Sequence, residues 1–563
     1  MHQTTLSASS TIELQSLVSR RDSVKVAISG RADGWGIGSL FSERVPFNNI
    51  TALDIAVRLA EVVSHLSKKR EQKEPLHVFE FGVGCGVLAN HLLNTLRDMY
   101  PDLYKRVVLH VSDISQEKLT DLRELNVFES HLDRVEFDVI DLRDPTFKAS
   151  PLLIYHTYLF DALPARHIGV ENGALYELQV QTHLKGSAVA WDTTEFPPIR
   201  LDAEALQNIY SGVQSIPDEK FRLVDRQVAP QLQESFARVP LDEADIPAFE
   251  KQNIKNLVAG ETLDNVVFNF SQELIHTTLE IIDKMPRESC YLGIDFFNAH
   301  APSSKRAEAA MGKLVTNFGV FNYFQVTPEI FMAVAKSFRA PKDDGATLQY
   351  RVFPNIIKSH NMFAFVRTSD VARYNFMMDR VFVHARHADY DLAISLIRTT
   401  QDPDELITVF DKLSAIEQQN YCVCLAMGRR YLELDSPAKA KTYALKSLNY
   451  GSHITARSLC LLSDIGFYEA DYQDALDYAK KAHGIAPQMA DVQACLYREF
   501  VRTGDLSALK TVCREMVLYA TDCNLSIQMV ECLKVEHLLG DETQCEKIIY
   551  WIKNQAFWVP DCS

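Results

Sequence analysis

Apolar residues along His77-Val78-Phe79-Glu80-Phe81 form a run the length of one buried strand, and from Val87 to Tyr100 they recur at helical spacing until Pro101 stops them. Short β-branched or aromatic runs alternate with amphipathic helical patterns in this way from about 51 to 370. That alternation predicts a Rossmann-like α/β domain built on a largely parallel sheet, with a helical insertion at about 196–285. Residues 1–50 are poorly periodic and end in the loop-like Gly34-Trp35-Gly36-Ile37-Gly38, so they are expected to be an N-terminal lead-in. Beyond about 385 the strand-like runs stop and helix follows helix to residue 563.

This C-terminal part repeats itself. Ala440, Ala475 and Ala508, each the small residue opening a second helix, are spaced 35 and 33 apart, close to the ~34-residue period of tetratricopeptide helix pairs. Gly428, Tyr431, Ala482 and Pro487 fall where that pattern wants small, aromatic and helix-ending residues, and weaker units flank the array at 390–420 and 527–557. An all-α, tetratricopeptide-like scaffold over 385–563 is therefore expected, with a binding face and no chemistry of its own. Such repeats stack chiefly on one another, so a chain ending near residue 385 is expected to fold by itself.

Chemistry concentrates after the strand at 77–81. Glu80, Gly82, Gly84 and Gly86 form E-x-G-x-G-x-G, opening the helix from Val87. Glycines let the backbone turn sharply and a ligand approach closely, and the helix N-terminus offers unpaired N–H groups. A dinucleotide fingerprint would need glycine or alanine at position 87, where the chain has Val87. The next strand, VVLHVSDIS, ends on Asp113, placed to accept both ribose hydroxyls of an adenosine; a third, RVEFDVIDL, brings Asp141 near the adenine amine. In this order the residues point to S-adenosyl-L-methionine as cofactor and to a class I methyltransferase fold.

The stretches EFGVGCGVLANHLL, HVSDISQEKL and LLIYHTYLFDALPARHIGVENGALYELQV carry a resemblance to the MidA-like methyltransferases, a family that includes a mitochondrial complex I assembly factor methylating arginine. F-D-A-L-P after the fourth strand, here Phe160 to Pro164, is its most specific part, and the resemblance spans roughly 50–335. It implies an acceptor site on the loop after that strand, with Asp161 as an orienting carboxylate or base and Tyr158 as an acceptor contact. Tyr158 stands where the family has an acid, which weakens an arginine assignment, because a guanidinium is best held by paired carboxylates. Asp295, His300 and the aromatic cluster Phe318–Phe324 are expected to wall the pocket.

Composition narrows the function classes. A formal net charge of −16 argues against nucleic acid as a partner. No apolar run reaches the ~18 residues of a membrane helix, and the N-terminus lacks a secretory pattern, though its Ser/Thr-rich start and Arg20-Arg21 leave a transit peptide open. The cytoplasm is the default compartment. Nine of the eleven cysteines lie beyond residue 400 without a CxxC pair, so they read as buried free thiols, and no metal site is expected. Three functions stay open: methylation of a protein or peptide recruited by the repeats, methylation of a small molecule with the repeats serving dimerisation, and a cofactor-binding assembly or adaptor role with little turnover.

Overall fold

The computed structural model describes residues 11–33, 52–188, 190–192, 199–212, 224–225, 227–261, 263–295, 301–302, 314–318, 321–337, 345–357, 360–383, 390–450, 455–487, 489–505, 507–508 and 511–512. The loop at 34–38, His300 and the weak repeat at 527–557 lie outside them.

A seven-stranded sheet organises the first part. Its strands are β1 (Leu76–Phe81), β2 (Val107–Asp113), β3 (Val135–Val139), β4 (Pro151–Thr157), β5 (Ser289–Asp295), β6 (Thr347–Ile357) and β7 (His360–Thr368), ordered β6-β7-β5-β4-β1-β2-β3. Pairings from β5 through β3 are parallel, whereas β7 runs antiparallel to both β5 and β6. Side chains alternate between faces with period two, and the two cores differ accordingly. On one face Val78, Leu109, Tyr155 and Leu292 meet helices α1 (Ala52–Ser67), α2 (Val87–Met99) and α3 (Gln116–Glu124). On the other, Phe79, Phe81, Tyr291, Phe363 and Phe365 build an aromatic core beneath α4 (Gln272–Lys284) and the helix Glu329–Ser337. The chain after β1 crosses to β2 on one side, while β4 lies on the other, so the carboxyl ends of β1 and β4 leave a crevice between them.

A second, antiparallel sheet centres on Ala174–Lys185, which pairs with Thr11–Val18, Arg166–Glu171 and Leu232–Pro240. Two expectations change here. The lead-in is no appendage: Thr11–Val18 is a strand of this sheet, and Arg20 and Arg21 are tied into the fold by ion pairs with Glu234 and Glu273. The segment 196–285, expected to be helical, also supplies the strands Leu232–Pro240 and Val266–Phe270. Alternating patterns in antiparallel strands are short and easily masked by flanking helices, which is why the periodicity misled.

The C-terminal part is helical throughout its described residues: α5 (Tyr390–Thr399), α6 (Pro403–Asp411), α7 (Tyr421–Glu433), α8 (Pro437–Tyr450), α9 (Thr455–Tyr468), α10 (Tyr472–Ile485) and α11 (Ala490–Thr503), with a short helix at Ala415–Gln418. α7 pairs with α8 and α9 with α10, as the 35-residue period requires. The small residues explain the close crossings: a Cβ on Gly428 would stand 3.2 Å from the Ala440 carbonyl, and one on Gly466 would stand 3.1 Å from the Ala475 nitrogen. Ala440, Tyr431 and Ala482 are buried in a core that the array keeps to itself, while Ala508 opens a further turn at the edge of the described residues. No described helix is long and apolar enough to cross a membrane.

Candidate cofactor and acceptor site

At the crevice between β1 and β4 lies a cavity of about 780 Å³. Its floor is the loop from β1 to α2. Gly82, Gly84 and Gly86 all take positive φ, at 63°, 53° and 74°, a region where side chains with a Cβ are strained. The loop is pinned by Val83 N–H donating to the Ser112 carbonyl at 2.8 Å and Gly86 N–H to the Val83 carbonyl at 2.9 Å. At Gly86 a Cβ would approach Phe128 to 3.0 Å, so that glycine serves packing as well as conformation.

Glu80, the last-but-one residue of β1, lines the cavity and is buried, and the Tyr155 hydroxyl donates to its Oε2 at 3.0 Å. Burial pushes its carboxyl up to about 8, which favours the protonated form near neutral pH. A cationic cofactor beside it favours the carboxylate, so binding should release a proton. Affinity is then expected to rise with pH up to about 8, by at most about tenfold per unit, and Glu80→Gln should remove this slope. Calorimetric dissociation constants equal at pH 6.5 and 8 in the wild type would contradict it.

Asp113 ends β2 on the cavity wall, its Oδ1 accepting from Ser115 N–H at 2.9 Å, while the Ser115 hydroxyl caps α3 by accepting from Lys118 N–H at 3.2 Å. The cap fixes the carboxylate at the strand end, as a ribose acceptor requires. Asp113→Ala is expected to weaken cofactor binding by about 1–3 kcal/mol, since the hydroxyls lose a partner in a buried site; unchanged binding would remove Asp113 from that role. Asp141 stands at the rim, clamped by Arg143 through Nε–Oδ1 at 2.9 Å and Nη2–Oδ2 at 2.7 Å, and this pairing holds its carboxyl below the usual range.

The acceptor loop departs from expectation at one residue. Tyr158 lines the cavity, buried, at φ 53°, with its N–H on the Ile294 carbonyl at 2.9 Å. A tyrosine in this conformation stores strain of order 1–3 kcal/mol, and such outliers cluster at functional sites. Asp161, by contrast, does not border the cavity; it is fully buried within the turn Phe160–Ala162. β4 ends at Thr157, and the turn redirects the chain. Phe160 N–H donates to Asp295 Oδ2 at 3.0 Å, and the Phe160 ring stacks 5.7 Å from Phe363, which carries residue 161 inward. Asp295, expected on the pocket wall, is spent on holding that turn.

Sequence reasoning missed most of the roof. Arg21, Val26, Ser29 and Gly30 from the N-terminal segment cover the cavity together with Glu273, and Phe324, from the expected aromatic cluster, borders it as well. Arg21 Nη2 and Glu273 Oε1 are 2.6 Å apart. No periodicity or motif marks the N-terminal residues among them, which reach the cavity through the pairing of Thr11–Val18 with Ala174–Lys185. Away from the cavity, donor atoms of His110, Glu136 and Asp138 lie within 4.8 Å of one another, with Lys148 paired to Asp138. That lysine already balances the acid, and the group is read as structural.

Residues 55–295 match the model of a family described as "Putative S-adenosyl-L-methionine-dependent methyltransferase". Among solved structures, the S-adenosyl-homocysteine complex of a methyl-transferase-type protein from Burkholderia thailandensis aligns at 14% identity and a TM-score of 0.36, over 62% of this chain and 88% of that one. MamA aligns at 16% identity and a TM-score of 0.24, over 31% of this chain and 97% of its own. PigF in complex with S-adenosyl-homocysteine aligns at 8% identity and a TM-score of 0.24, over 61% of this chain and 68% of its own. No curated protein matches the sequence.

Proposed function

We propose, since residues 55–295 match the model of an S-adenosyl-L-methionine-dependent methyltransferase family and S-adenosyl-L-methionine is its cofactor, that this chain methylates a protein or peptide held by its helical array. The observation carrying this reading is a groove of about 480 Å³ along the successive helices α7, α9 and α11, on the same chain as the cofactor cavity. It is lined by Arg429, Asp464, Asp491 and Arg498, which pair as Arg429–Asp491 and Arg498–Asp464 and present polar groups to a peptide backbone.

The sulfonium methyl is already activated, so the protein's task is to hold the acceptor in line and let a nitrogen lose its proton. Glu80 and Asp113 serve the cofactor half of the cavity. Tyr158, with Arg21 and Glu273 above it, serves the acceptor half, and a carboxylate there suits a nitrogen acceptor, arginine included. When bound, the cofactor would supply the activated methyl group, and the acceptor nitrogen would give up its proton to Glu273 or solvent as S-adenosylhomocysteine is left behind.

Incubating the enzyme with cell lysate and methyl-tritiated cofactor should label material that precipitates with protein, and wild-type labelling should fall in a Tyr158→Phe variant. Label confined to small molecules would instead establish the small-molecule reading, with the array left for dimerisation. No label at all, with the cofactor bound, would make the chain a cofactor-binding adaptor.

A further inference from the structure

The helical array does not merely follow the catalytic domain; the open end of its α7–α8 hairpin packs against that domain's core. Tyr421, the first residue of α7, is 3% exposed although it begins a helix on the outside of its own repeat. It belongs to the cluster that contains Val83, Cys85, Val87 and Leu88, the apolar residues of the cofactor loop and the first turn of α2. Cys422 beside it and Tyr450, the last residue of α8, pack against the same cluster. Both ends lie at the same side of the α7–α8 hairpin, so the hairpin meets the loop end-on. The remaining apolar residues of the array form a separate core.

Tyr421 lies within electrostatic range of Cys85, and Tyr450 within that of Asp98 of α2. Cys85 and Leu88 also line the cofactor cavity. One thin layer of residues therefore has the cavity on one side and the array on the other. The main chain of Tyr421 is itself fixed from within the array. Its carbonyl accepts from the Ser447 hydroxyl at 2.9 Å, and Ser447 in turn bonds Ser458 of α9 at 2.7 Å.

We propose that Tyr421 is a positioning residue for the cofactor loop: it holds Cys85 and the start of α2 against the array, so that cofactor occupancy and the state of the array are coupled. The glycines make the loop possible but leave it few side chains of its own with which to resist movement. Rigidity must come from the layer beneath, and part of that layer belongs to the repeats. Coupling of this kind is reciprocal in binding free energy. Whatever tightens the α7–α8 hairpin tightens cofactor binding, and cofactor in turn orders the hairpin. The inference rests on the cavity being the cofactor site.

Hydrogen exchange on the wild-type full-length protein, with and without S-adenosylhomocysteine, tests both points separately. Slower exchange in peptides spanning 80–90 marks the cavity as the site; slower exchange in 421–426 as well marks the coupling. Protection of 80–90 with 421–426 unchanged overturns the coupling and leaves the site standing, whereas protection of neither overturns the site. Variants supply the second measurement. Tyr421→Ala is expected to raise the dissociation constant for S-adenosylhomocysteine about tenfold, the size of a modest coupling free energy, with Tyr421→Phe near wild type. Leu496→Ala, in the array's own core, should destabilise the repeats and leave that constant within about twofold. Equal effects of Tyr421→Ala and Leu496→Ala would reduce Tyr421 to a structural residue.

Discussion

Gly84→Val is expected to abolish measurable cofactor binding while the protein stays folded. Gly84 sits at φ 53° on the cavity floor. Valine pays twice there: a β-branched residue in the left-handed region costs roughly 1–2 kcal/mol, and its methyls point where the ligand must approach. Adding that strain to a steric block of one or two kcal/mol gives about 2–4 kcal/mol, a loss of roughly 30- to 700-fold in affinity, since each 1.4 kcal/mol is tenfold. Calorimetry giving an affinity within threefold of wild type would put the cofactor elsewhere. Gly86→Val separates the two roles of the loop, because Phe128 stands 3.0 Å from the added Cβ. It should lower the melting temperature as well as the affinity.

A chain ended at residue 385 is expected to be markedly less stable than the full-length protein, contrary to what the repeat pattern alone suggests. The deletion removes Tyr421, Cys422 and Tyr450 from the cluster around Cys85 and Leu88 and opens that face to water. A fully buried large side chain is worth roughly 1.5–3 kcal/mol, so a loss of about 4 kcal/mol is reasonable for the three. For a domain of this size that corresponds to a fall in Tm on the order of 10 °C. Scanning calorimetry of the truncated and full chains decides it. An unchanged Tm with unchanged cofactor affinity would restore the array to an independent module.

Much of the architecture was legible because the central strands and their helices have opposite periods. Phe79 and Phe81 fall on one face and Val78 and Leu109 on the other, as alternation demands. The loop after β1 was legible because strand, glycines and helix start are contiguous: Glu80, Gly82, Gly84 and Asp113 all border one cavity, and Gly86 packs behind it against Phe128. Asp161 was misread because a strand predicts where a side chain emerges only up to its last residue. Beyond Thr157 a turn held by Asp295, 134 positions further on, sets the direction. The roof and the Tyr421 seat were invisible for the same reason at longer range. Arg21 meets Glu273, and Tyr421 joins the core that holds Cys85, only through tertiary packing, and neither bears a local signature.

The array is anchored to the rest of the molecule at its near end, through α7 and α8, while its far helices lean on their predecessors. Mechanically it is a cantilever. In a stack of nearest-neighbour units each added unit contributes its own interface and little else, so stability should grade along the beam, with α11 opening before α9 and α9 before α7. Units could be gained or lost away from the clamped end in the course of descent while that end, and the loop it supports, stayed unchanged. Reach is thus the property free to vary, and grip on the cofactor loop the property held fixed.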